Sequence, residues 1–181
     1  LATQTRGNIV NQSATEEVGL QVPAGETLGL LGGNVLIDRG RLTTQQGRIE
    51  LGSVGDNSLI NLDSTQNNYS LNYSEVENFE NIQLNNGAVV DVSGEGSGDI
   101  QVQGREVTIT EGSNIIANTI GSQPGGNISL TASESIEVID SFVDADVRFG
   151  ATGSGARVTT NTPHLKLTNG GNFGTATFGT G

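Results

Sequence analysis

Cysteine, methionine and tryptophan are missing from this chain altogether, and lysine and histidine occur once each, as Lys166 and His164. Without cysteine there is no disulfide, no thiolate metal site and no thiol nucleophile. A single histidine, with no Gly-x-Ser-x-Gly segment, leaves nucleophilic triads without their parts. Aromatic residues are 4% of the chain and charged residues 15%. Strong helix formers are scarce, and no window carries apolar residues at i, i+3, i+4 and i+7, so no α-helix longer than a turn is expected. No run of 18 apolar residues occurs, which excludes a membrane-spanning helix. Bases are few: 20 acids against 8 bases leave a net charge of −12. Such a surface repels phosphate backbones and anionic lipid heads, and no Lys/Arg cluster offsets it, so nucleic acid is excluded as a partner.

What the chain does have is glycine, 27 in 181 residues, together with abundant Ser, Thr, Asn and Gln. Its length suits one domain with a real core. Apolar motifs recur at a fixed period in its C-terminal half. Ile100-Gln101-Val102, Ile128-Ser129-Leu130 and Ala156-Arg157-Val158 step by 28 (128 − 100, 156 − 128). Val107-Thr108-Ile109, Ile136-Glu137-Val138 and Leu165-Lys166-Leu167 step by 29, as do Ile120-Gly121, Phe149-Gly150 and Phe178-Gly179. A circuit of that length cannot bury its apolar face alone, so neighbouring circuits must stack. The fold class expected is all-β, a parallel β-solenoid of about six rungs of three short strands. At a strand spacing of about 4.8 Å that is a rod of roughly 30 Å. Ile128 is expected to lie over Ile100, facing inward, with Ile, Val, Leu and Phe making the core.

The N-terminal half reads as shorter rungs: Gly19-Leu20-Gln21-Val22, Thr27 to Leu31 after the turn Pro23-Ala24-Gly25, Asn34 to Ile37, Arg41-Leu42-Thr43 and Arg48-Ile49-Glu50-Leu51. From Gly52 to Phe79 the rhythm breaks. Ser58 to Leu62 and Tyr69 to Tyr73 flank the polar turn Ser64 to Asn68, the pattern of a β-hairpin protruding from the solenoid. The expected organisation is therefore one domain over residues 1–181 with residues 52–79 as an insert. Gly-Gly-Asn recurs at 32–34, 125–127 and 170–172, each time before an apolar strand residue. Such corners suit left-handed backbone and asparagine ladders between rungs. The chain begins at Leu1, carries no charged-then-apolar leader, and shows no polar cap at either end, so it reads as a piece of a longer polypeptide.

At Gly7 to Ser13, Leu20 to Gly25, Leu31 to Asn34, Gly47 to Val54 and Val102 to Arg105 the sequence resembles the filamentous-haemagglutinin-type exoproteins of two-partner secretion, particularly the long cyanobacterial ones. The resemblance covers essentially the whole chain and rests on Gly and apolar patterns. It implies a right-handed parallel β-helix, export through a dedicated outer-membrane transporter, and a secreted or cell-surface role as adhesin or filament. Secretion domains of that family carry an Asn-Pro-Asn-Gly type motif, and no Asn-Pro pair occurs here. By the resemblance, this piece lies just C-terminal to that motif, with transporter recognition outside it.

Against that non-enzymatic reading stands a polysaccharide-acting β-helix enzyme or carbohydrate-binding module. Some β-helices cleave acidic polysaccharides with Ca²⁺-holding aspartates and a basic residue, and the nearest set here is Asp140, Asp144, Asp146 and Arg148. In a strand Asp144, Asp146 and Arg148 share one face and Val143, Ala145, Val147 and Phe149 the other, so the charged set faces solvent if the apolar set fills the core. A solvated face with Arg148 as counter-ion is the reading preferred, and no catalytic, metal or cofactor residue is assigned. A sugar is the alternative ligand for Tyr69 and Tyr73, four apart with Glu75, Glu77 and Glu80 nearby; packing of both tyrosines on the solenoid wall is the competing account. Thr108-Ile109-Thr110 and Thr175-Ala176-Thr177 do not stack from rung to rung as an ice-binding face would. The partners expected are the outer-membrane transporter during export, a host or neighbour-cell glycan or matrix, and a second copy end to end through an open terminal rung.

Overall fold

A computed structural model of the chain describes residues 7–14, 19–65 and 68–180, and every regular element among them is a β-strand. The first strands are short because turn residues interrupt them: β1 (Ile9–Asn11), β2 (Leu20–Gln21), β3 (Thr27–Gly32), β4 (Val35–Asp38), β5 (Arg41–Thr43) and β6 (Arg48–Ser53). Next come β7 (Asn61–Thr65), β8 (Asn68–Asn72), β9 (Ile82–Asn85) and β10 (Val89–Asp91). In the C-terminal half, long runs of alternating apolar and polar residues give β11 (Asp99–Thr110) and β13 (Asn127–Ile139), separated by β12 (Asn114–Ile116). The last are β14 (Phe142–Asp144), β15 (Arg157–Asn161), β16 (His164–Thr168) and β17 (Asn172–Gly174).

All of these strands except β7 and β8 pair in parallel, the arrangement of a β-solenoid. One ladder runs β3-β6-β11-β13-β15 and a second β1-β4-β9-β11-β13-β16; β11 and β13 serve both because each bends between two walls. The bend is a register shift between Gly104 and Glu106. The third wall is β2-β5-β10-β12-β14-β17.

Parallel pairing in register turns period-2 alternation into columns. Leu28, Ile49, Ile100, Ile128 and Val158 stack on the first wall; Val35, Ile82, Val107, Ile136 and Leu165 on the second; Leu42, Val90, Ile115, Val143 and Phe173 on the third. Ile49, Ile82, Ile115, Ile128 and Ile136 have no exposed surface. Each such side chain contributes about 1.5–3 kcal/mol by leaving water.

Corners recur with one chemistry. Asn86, Glu111 and Asn169 take positive φ (55°, 57° and 52°) and are each followed by a positive-φ glycine, Gly87, Gly112 and Gly170. Of the Gly-Gly-Asn corners only the last follows the left-handed expectation. At Gly126 the requirement is space, since a Cβ there would collide with the Gly98 carbonyl of the rung beneath. The asparagines do ladder. Asn34 donates its backbone N–H to Asn8 Oδ1 (3.0 Å) and Asn81 donates to Asn34 Oδ1 (3.1 Å).

The final circuit departs from the 28-to-29 spacing. Ile128 pairs with Val158, two residues beyond Ala156, and Val147 pairs with Thr177. Phe178 N–H consequently donates to the Val147 carbonyl (2.8 Å), and Phe178 does not stack on Phe149. The recurrence of Ile-Gly and Phe-Gly at 29 does not follow the register there, which steps by 28 from Thr119 to Val147 and by 30 from Val147 to Thr177, while the second wall keeps 29 from Ile136 to Leu165. Phe149 is 93% exposed beside the turn glycine Gly150, and Phe142 and Phe178 are also exposed, so Phe is a minor part of the core. Val143, Ala145 and Val147 are buried as expected.

β7 and β8 form an antiparallel pair, with Asn61 opposite Asn72 and Ser64 opposite Tyr69. Leu59 and Ile60 precede the pairing rather than belonging to it. The pair does not stand free of the wall. Gln101 Nε2 donates to the Leu71 carbonyl (3.0 Å), Tyr69 N–H reaches Thr27 Oγ1 (3.4 Å), and the Tyr73 ring lies 6.2 Å from that of Phe79. Its base is joined by the Val54–Phe79 bridge and by Gly55 N–H to the Asn78 carbonyl (2.8 Å).

Candidate functional site

Asp144 and Asp146 are placed together by β14 and the residues after it, but the Asp146 carboxylate is engaged in holding rungs. Asn118 donates its N–H to Ser93 Oγ (3.0 Å), Asp146 to Asn118 Oδ1 (2.9 Å), and Ala176 to Asp146 Oδ1 (2.9 Å), so the side chains carry bonds across a stretch where strands are short. Arg148 Nη1 takes the other oxygen, Asp146 Oδ2, at 3.6 Å. Burial pushes the Asp144 carboxyl up, the Asp146 charge adds to that, and Arg148 opposes both. Asp140 sits apart from them in a corner with φ 49°, before β14 begins. Among the described residues, no three of His, Cys, Asp or Glu gather as a group able to hold a metal ion. Chemically this wall is a ladder with a counter-ion.

His164 opens β16, exposed, its N–H facing Thr162 Oγ1 (3.4 Å).

The tyrosines are split by the structure. Tyr69 is 50% exposed on β8, whereas Tyr73 turns inward, its hydroxyl buried against Gly52. They do not offer a sugar one continuous stacking platform. Glu75 and Glu77 are exposed and, with Asp56, Asn57, Ser58, Leu59 and Asn78, line an open cleft of about 410 Å³ beside the hairpin.

Sequence reasoning passed over the most unusual side chains, Arg48 and Glu50. Alternation along β6 sends Ile49 and Leu51 into the core and Arg48, Glu50 and Gly52 outward. Glu50 is nevertheless 1% exposed, because β8 and Tyr73 lie over it. Arg48 Nε bonds Glu50 Oε1, while its other nitrogens reach Asp99 Oδ2 (3.2 Å) and Gln101 Oε1 (2.9 Å) on β11. Burial raises the Glu50 carboxyl above its ordinary range against the pull of Arg48. Burial and the Glu50 charge likewise push the Tyr73 phenol up. The one signal in the sequence is Gly52, whose missing side chain leaves room for the Tyr73 hydroxyl.

Compared with known proteins, residues 1–102 match the family model of the TPS secretion domain, which corrects the expectation that this chain lies beyond the secretion-domain sequence. No curated protein and no solved structure matches the chain. The matched stretch ends within β11, three residues past its first residue, Asp99.

Proposed function

Because the chain belongs to the TPS secretion domain family of two-partner secretion exoproteins, we propose that it is a non-enzymatic structural and adhesive module, carried across the outer membrane by a partner transporter and displayed outside the cell. We take residues 1–181 as one β-helix unit and 52–79 as an insert. The observation that carries this reading is the overlap of the family match with the stack. β11 begins inside the matched residues, pairs back onto β6 and β9, and pairs forward onto β13, so secretion-domain sequence and the following rungs share one core. A rod of that kind is held by backbone bonds along its axis and presents polar walls, which suits mechanical display. The asparagine and aspartate ladders supply the same axial cohesion where strands are shortest.

Co-expression with an outer-membrane two-partner transporter in a Gram-negative host tests the export half. The intact chain should reach the medium only when the transporter is present, and a version lacking residues 7–98 should remain inside. Export independent of the transporter would end the reading. For the adhesive half, beads coated with the chain should bind cell-surface glycan or matrix, and incubation with pectate or alginate, with and without Ca²⁺, should release no unsaturated or reducing ends.

A further inference from the structure

Glu50 stands on the outward face of β6 and would meet solvent but for the hairpin above it. The roof is local. It consists of Leu71, whose carbonyl is held by Gln101, and Tyr73, which rests on Gly52 beside Leu31 and against Phe79. The fit is incomplete, because Glu50 Oε2 and the Tyr73 hydroxyl are both buried without a hydrogen-bond partner. Opening the roof would return both atoms to water, so the closed arrangement carries a cost that the open one lacks. The hairpin's base is narrow, joined at Val54–Phe79 and Gly55–Asn78, with Asn57 just beyond in a positive-φ conformation (60°). Such a joint lets β7 and β8 move while the columns of Ile and Leu beneath stay in place.

We propose that the β7–β8 hairpin is a hinged cover over the Arg48–Glu50 pair, closed while Glu50 holds a proton and released from the wall as that proton leaves. The groups facing Glu50 are Arg48 on its own strand, Asp99 and the neutral Gln101 on β11, and Tyr73 from the hairpin side. Burial holds the proton on Glu50 more tightly when covered than when open and is the largest effect; Arg48 and the Leu71 backbone N–H from the hairpin weaken that hold, and Asp99 strengthens it. Closure is thus fully supported below the ordinary glutamate range and weakens as pH rises through the elevated value of the covered state. Release exposes a guanidinium–carboxylate pair and the Leu31 side of the wall, a surface offered in one condition and withheld in the other.

The chain is suited to the test, since its two tyrosines, Tyr69 and Tyr73, both belong to this region and it has no tryptophan. Tyrosine quenching by acrylamide, Leu71 and Tyr73 amide protection corrected for intrinsic exchange, and far-ultraviolet circular dichroism are followed from about pH 4 to about pH 8, spanning the carboxylate range. In the wild type, quenching should rise with pH and protection fall by up to about tenfold per pH unit, the limit for one proton, while the dichroism stays constant. Glu50→Gln should stay covered throughout. Asp99→Asn keeps Glu50 but removes a neighbour that raises it, so its transition should move to lower pH. A flat wild-type profile, an unchanged transition in Glu50→Gln, an unmoved one in Asp99→Asn, or a loss of dichroism in step with the tyrosine signal would each overturn the proposal.

Discussion

Ile49 and Glu50 are adjacent on β6 and both are buried, yet by unlike means. Ile49 is enclosed by repetition: Leu28 below it and Ile100 above it occupy the same place on neighbouring rungs, and every added rung improves the enclosure. Glu50 is enclosed by an event that happens once, the folding of β7, β8 and Tyr73 across the outside of the wall. Repetition produces an apolar column whose side chains have no polar atom to satisfy. The single cover produces a charged patch with two unsatisfied atoms. Interior burial of this kind resists perturbation, whereas the covered wall is where small changes in charge are felt.

The largest test of that contrast is Ile128→Asp. A carboxylate there has no partner among Ile100, Val158 and their neighbours, so the substitution should cost about 3–5 kcal/mol and lower the melting temperature drastically or prevent folding. An unchanged melting temperature would mean that Ile128 does not face the core. Gly126→Ala probes the same repetition through the backbone. Its Cβ meets the Gly98 carbonyl, and the rung must shift to admit it, at about 1–3 kcal/mol, visible as a lower midpoint in urea with an unchanged slope.

Removing residues 56–75 and closing the gap with a short Gly-containing turn tests the other side. Burial of Tyr73 is lost, at about 1.5–3 kcal/mol, but two buried polar atoms are relieved, at about 1–3 kcal/mol each, so net stability should change little. Sheet dichroism and cooperative unfolding should persist, and Glu50 should titrate nearer the ordinary carboxylate range. Collapse of the fold would show that the cover and the column are one structure. The smallest effect is expected from Arg105→Ala. Arg105 pairs with Glu134 (3.1 Å) and Glu106 (3.6 Å) on an exposed wall, so its loss should cost no more than about 0.5 kcal/mol and vanish at high salt, measured by denaturant titration at two ionic strengths.

How far the sequence can be read follows the same division. The columns through Ile100–Ile128 and Val107–Ile136–Leu165 are visible as spacing, because parallel stacking converts a constant circuit length directly into contact. Spacing fails where the circuit length changes. The last turn takes 30 residues on the first and third walls, and Ala156 and Phe178 then continue the spacing of Ile128 and Phe149 without lying over them. The charged wall around Asp146 was legible as outward-facing; that its carboxylate receives Ala176 N–H from the next rung was not, since nothing in a single strand says what lies above it. Least legible was Glu50. Alternation assigns it to solvent correctly for β6 alone, and only the path of a segment more than ten residues later removes that solvent.

The ladders of Asn8, Asn34 and Asn81, and of Ser93, Asn118, Asp146 and Ala176, share a sense. In every step the later residue in the chain donates and the earlier one accepts. A rung already laid therefore holds out an oxygen to a rung that has not yet arrived, and the arriving segment closes that bond with its own backbone. The ladder of Ala88, Ser113 and Ser141 runs in the opposite sense, each earlier backbone N–H donating to the later hydroxyl, so a completed rung offers its successor amides as well as oxygens and is a template of both kinds.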